Sequence, residues 1–164
     1  MPSEEFAEFY AGSYRRLLRQ LFAITGDLAE AEDSLQEAFA RASLRWPALS
    51  RYDAPEAWVR RVALNLTRMA ARRVRRRAAL LLRLGPPAPV PELSPDALDL
   101  HRALQALPRG QRTAIVLHHL VGLPVDQVAA ELRVPAGTVK ARLHRGRAAL
   151  ARRLADHVEE VETG

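Results

Sequence analysis

Cysteine is absent, which excludes disulfides, thiolate metal sites and a cysteine nucleophile. That suits a reducing cytoplasm, the expected location of the chain. Aromatic residues make up only 5% of the 164 residues, and Ala, Leu and Arg dominate over Val, Ile and Thr. This balance argues against sheets and predicts an all-α fold. No apolar run approaches the roughly twenty residues of a membrane span, and the acidic, polar N-terminus carries no leader pattern. Neither export nor insertion is expected, and no membrane partner. What is present in excess is positive charge, a formal net +6 with a sequence pI near 10.8. Such an excess favours a polyanionic partner and is silent about fold. With 48% hydrophobic residues the chain can build one core or two small helical ones.

One stretch breaks the helical periodicity, the proline-dense segment from Leu84 to Pro95. Prolines at this density cannot continue a helix and favour an extended spacer, on the order of 35 to 40 Å for a dozen residues. The expected organisation is a helical domain over 1–83, a linker over 84–95 and a second helical domain over 96–164; a surface loop within a single domain is the alternative. Before the linker, Phe6, Phe9, Tyr10, Leu17 and Leu21 fall at helical spacing and predict a helix from about Glu5 to Ile24, ended by Thr25-Gly26. Asp27 with Glu30 predicts a capped helix running to about Leu44. Trp46 to Ala54 reads as a loop. Asp53 and Glu56 repeat the capping pattern, with Pro55 between them, and open a long helix reaching about Leu82. Ser94-Pro95 starts another helix after the linker.

Two long tracts contain no acid at all, 57–91 and 132–155. Each expected domain therefore ends in a basic helix, and the pair points to nucleic acid touched at two places. The second tract follows a helix-turn-helix pattern, in which Ala129 supplies the small contact between helices and Val128, Leu132, Val134, Val139 and Leu143 the apolar seam. Thr138, Lys140, Arg142, His144, Arg145 and Arg147 are then left to reach phosphates or base edges. The segment Glu30, Glu32, Asp33, Glu37 has the opposite sign, and reads either as a solvated face or as a docking surface for a basic protein.

Three blocks resemble the bacterial RNA polymerase sigma factors of the small, two-domain extracytoplasmic-function group: Glu30 to Ala42, Trp58 to Asn65, and Leu107 to Arg147 with its Gly137-Thr138-Val139-Lys140. Nearly every cation is arginine, Lys140 being the only lysine, which points within that group to a GC-rich genome and an actinobacterial, sigma-E-like member. The resemblance implies a region 2-like N-terminal bundle and a region 4-like C-terminal helix-turn-helix. It implies docking on core RNA polymerase through Asp33, Gln36, Glu37 and Arg41. It also implies recognition and melting of the minus-10 promoter element, for which Tyr52, Trp58, Arg60, Arg61, Asn65, Arg68 and Arg72 are the candidates. Unpaired bases need aromatic faces and the displaced backbone needs cations, although Trp58 fits core packing equally well. The recognition helix would read the minus-35 element. Four positions depart from the family pattern: Met69 where an acidic residue is common, Pro124 and Pro135 where serines often cap the two helices, and Arg133 where a turn glycine is common.

The resemblance thus makes the chain a promoter-specificity subunit whose partners are core polymerase and promoter DNA, with an anti-sigma protein as a further candidate and the free chain a monomer. The alternative is a helix-turn-helix regulator with an N-terminal dimerisation or sensor domain, which has no reason to carry the acidic docking block. No enzyme, cofactor or metal is expected. His118-His119 is the only histidine pair, and neighbours on an α-helix diverge too far to share a metal.

Overall fold

The computed structural model describes residues 3–80 and 93–163. Every regular element among these is helical. The chain divides into two compact units, Met1–Val90 and Pro91–Gly164. Of the expected linker, 84–92 lies outside the described residues, as does the expected end of the long helix at Leu82.

The N-terminal unit is a bundle of α1 (Glu4–Thr25), α2 (Leu28–Leu44), a single turn α3 (Trp46–Leu49) and α4 (Pro55–Leu80). Ser3 starts α1, its hydroxyl accepting the Phe6 N–H at 3.2 Å, and Gly26 ends it in the left-handed region at φ 70°. Asp27 caps α2 through the Glu30 N–H at 3.1 Å, as the capping pattern predicts. Where Trp46 to Ala54 reads as a loop, its first residues instead make a helical turn. Pro47 lies early enough in α3 to need no amide partner, and Trp46 is anchored in the core. Glu56, in the first turn of α4, pairs with α1 instead, its carboxylate accepting both Nε and Nη2 of Arg16, at 2.7 and 3.0 Å.

Packing follows two stripes. Leu17, Leu21 and Ile24 of α1 meet Ala31, Leu35, Ala38 and Ala42 of α2 and Val59 and Ala63 of α4, all essentially inaccessible. Each such leucine contributes about 1.5–3 kcal/mol by leaving water. Most of the few aromatic side chains gather at one end: Phe9 stacks on Trp46 at 4.9 Å, Phe6 meets Trp46 edge-on at 5.3 Å, and Tyr10 meets Phe39 edge-on at 4.9 Å. The cluster ties α1, α2 and α3 together and fixes the turn into α4.

The C-terminal unit holds α5 (Pro95–Gln105), α6 (Arg109–Ile115), a π-helical turn (Val116–Leu120), α7 (Val125–Leu132) and α8 (Ala136–Thr163). Ser94 caps α5 through the Ala97 N–H at 3.3 Å. The π turn is marked by the Val121 N–H reaching the Val116 carbonyl at 2.9 Å. Its core is Val116, Leu117, Val128, Leu132, Val139 and Leu143. Ala129 is buried at the crossing of α7, as a helix-turn-helix requires.

Candidate nucleic-acid and partner interfaces

α2 buries Ala31, Ser34, Leu35, Ala38, Phe39 and Ala42, which leaves Asp33, Gln36, Glu37 and Arg41 exposed along the other side. Their spacing of three and four residues places them on one stripe. Glu37 accepts the Arg41 Nε at 2.8 Å across one turn, a pair half open to water on both sides and worth little to stability. Gln36 bonds the Tyr14 hydroxyl, whose pKa is nevertheless raised, because burial outweighs that bond. The face is thus polar, with Tyr14 beneath it and Tyr10 beside it on α1.

On α4 the buried positions are Val59, Arg60, Ala63, Leu64 and Thr67. Trp58, Arg61, Asn65 and Arg68 lie on the other flank at spacings of three and four, with Asn65 and Arg68 exposed and Trp58 and Arg61 half-buried. Arg72 continues this register, but its side chain lies outside the described residues. Arg60 is a correction to the DNA-facing set: it is only 4% exposed, with its Nη1 3.5 Å from the Gln20 Oε1 of α1. A guanidinium buried this deeply needs polar partners inside, and Gln20 is one. The sequence held the signal, since residue 60 falls on the 59/63/67 stripe and not on the 58/61/65 one.

Tyr52 and Trp58 line an open pocket of about 280 Å³ with Leu44, Arg45, Pro47, Ala48 and Leu49. Tyr52 is 61% exposed, so one aromatic face stands free at the rim while Trp58 forms part of the wall. The sequence pointed to the two aromatics but not to the walls, because Trp46 to Leu49 read as loop. A concavity with a free ring and cations beyond it suits a flat, unpaired base with its phosphate.

α8 turns Val139, Leu143 and Gly146 inward. Lys140, His144, Arg145 and Arg147 are exposed, and Thr138 and Arg142 half-exposed. All six expected donors lie outside the seam. Arg142 folds back over α6, where a Cβ on Gly110 would lie 3.2 Å from its Nε. Pro124 and Pro135 replace capping side chains with geometry: their carbonyls accept the Val128 and Thr138 N–H groups, both at 3.0 Å. Arg133 takes up the left-handed turn position at φ 55°, the only non-glycine with positive φ among the described residues.

The histidine pair departs from expectation in one respect. In the wider π turn the rings of His118 and His119 do not diverge but meet edge to face at 4.7 Å. His118 Nδ1 is 2.7 Å from the Leu123 carbonyl and so carries its proton there. His119 has a lowered pKa, first from burial and then from His118 and Arg147. Among the described residues no three His, Asp or Glu side chains are placed to hold a metal, and no helix is long and apolar enough to cross a membrane.

Both units match known families. Residues 9–77 match the sigma-70 region 2 family, and residues 97–150 match sigma-70, region 4. The chain is 33% identical over 157 residues to the extracytoplasmic-function RNA polymerase sigma factor SigE of Mycolicibacterium smegmatis, covering 89% of this chain and 60% of that protein. It is 33% identical to the RNA polymerase sigma-E factor of Streptomyces coelicolor over 153 residues, 92% of this chain and 86% of that one. In three dimensions it is similar to the sigma factor RpoE of Bartonella quintana, solved in complex with the anti-sigma factor NepR. The TM-score is 0.82 at 21% identity, covering 93% of this chain and 98% of that one.

Proposed function

Because this chain belongs to the sigma-70 family of RNA polymerase sigma factors, in its extracytoplasmic-function group, we propose that it docks on core RNA polymerase and selects promoters through two separate DNA-reading faces. The observation that carries the reading is the division of labour in the N-terminal unit: α2 offers the polar stripe Asp33, Gln36, Glu37, Arg41, while α4 offers cations and Trp58 on its other flank, with Tyr52 just before it. A duplex-binding regulator needs only the second kind of surface. The regulator alternative is therefore set aside.

In this account the α2 stripe meets the polymerase. Tyr52 and Trp58 receive a base of the opened minus-10 element, and Arg61, Asn65, Arg68 and Arg72 hold the strand that carries it. Arg60 supports this surface from inside through Gln20. Thr138, Lys140, Arg142, His144, Arg145 and Arg147 enter the major groove at the minus-35 element, with phosphate contacts setting register and arginine forks reading bases. The polymerase performs the chemistry, and this chain fixes where it starts. An anti-sigma protein is a further partner, supported by the fold shared with a sigma factor solved bound to one.

Start-site mapping by run-off transcription on genomic fragments tests the reading. Discrete start sites should appear only when this chain and core polymerase are both present, with weak duplex binding by the chain alone. Salt-sensitive duplex binding by the chain alone, with no change in where the polymerase starts, would overturn it.

A further inference from the structure

Two glycines allow α6 and α8 to approach, and they meet different things. A Cβ on Gly146 would lie 2.7 Å from Ile115 Cδ1 and 3.4 Å from Gln111 Cβ, inside the packed helix interface. The three atoms nearest a Cβ on Gly110 would all belong to Arg142: Nε at 3.2 Å, Cζ at 3.3 Å and Cδ at 3.6 Å. Gly110 is in α6, without a positive φ, so neither a turn nor an unusual backbone angle demands glycine there. Glycine weakens a helix, and what this one provides is a flat floor beneath a guanidinium.

Arg142 is the half-exposed arginine of the α8 donor set, flanked at four and three residues by Thr138 and Arg145. No carboxylate pairs with it among the described residues. Its guanidinium lies over Gly110, and the side chain is half-exposed. A free arginine explores many rotamers and loses that freedom on binding, whereas one laid against a floor is already oriented. We propose that Gly110 is a positioning residue for promoter selection: the bare backbone of α6 aims Arg142, and so sets base preference in the minus-35 element. This rests on the assignment of α8 as the minus-35-reading helix.

The test uses holoenzyme reconstituted with core polymerase and a promoter library randomised across the minus-35 element, comparing the wild type with Gly110→Ala, Arg142→Ala and the double variant. Thermal unfolding of each free chain is measured in parallel. An alanine methyl would displace the flexible end of Arg142 and leave α6 intact or firmer. Arg142→Ala should reduce discrimination about tenfold at the base positions it reads. Gly110→Ala should shift preference at those same positions by about threefold or more, the double variant should look like Arg142→Ala, and the melting temperature should not fall. Unchanged preference in Gly110→Ala overturns the proposal. So does a uniform loss at all promoters with a lower melting temperature, which is the signature of packing alone. A wild-type holoenzyme that initiates but shows no minus-35 preference removes the role of α8, and the proposal with it. Failure to initiate at all removes the sigma reading itself.

Discussion

Arg133 carries a strain that the rest of the C-terminal unit holds in place. Its φ of 55° and ψ of 46° are left-handed, a conformation that costs a side-chain-bearing residue about 1–2 kcal/mol. Arg133→Gly relieves that cost but frees the unfolded chain, so the net gain should be about 0.5–1 kcal/mol, read as a higher denaturant midpoint. His101 has the opposite character. Burial, with Arg112 nearby, holds its pKa below the ordinary 6.5, so the unfolded chain binds the proton more readily. Its stabilising contribution is complete above pH 6.5 and is lost as pH falls from there through the lower folded value. Comparing denaturant midpoints at pH 7.5 and 5.5 should show a smaller loss for His101→Gln than for the wild type. At this scale the sequence was informative about side chains that alternate cleanly between core and solvent, such as Val139 and Lys140. It misled at Arg60, because residue type was weighed above position on the helix. Gly110 was invisible, since a glycine in a helix has no pattern until the side chain above it is seen.

α8 is the element on which the C-terminal unit depends twice, packing through one side and presenting cations on the other. Gly146 makes the packing possible, and Gly146→Ala should destabilise the chain by about 1–3 kcal/mol, because Ile115 is a core side chain with nowhere to go. Thermal unfolding checks this, and the contrast with a harmless Gly110→Ala separates the two glycines. Helix boundaries were legible wherever a side chain makes the cap, as at Asp27 and Ser94. The end of α1 was legible too, because Gly26 takes the left-handed position there. α3 was missed because a four-residue turn has too few positions for periodicity, and it is stabilised by Trp46 packing against α1. The π turn at Val116–Leu120 was missed for the same reason: an apolar run reads alike in α and π form.

For the molecule as a whole, charge is partitioned by helix, with the polar α2 stripe and the basic flanks of α4 and α8 on different elements. That partition was visible as the two acid-free tracts and the acidic block that precedes them. The blocks also carried the family resemblance that the comparisons bear out. What the sequence could not show is that the residues expected to dock share one exposed stripe, which depends on α2 burying its other side against α1 and α4. We propose that this stripe meets core RNA polymerase. The most direct measurement is the affinity of the purified chain for core polymerase at moderate salt, compared with that of Asp33→Lys/Glu37→Lys, with the fold checked by circular dichroism. The wild type should bind tightly, with at least a tenfold loss in the charge-reversed variant, about 1.4 kcal/mol or more. Equal affinity of the two proteins, or no binding by the wild type, would contradict the proposal.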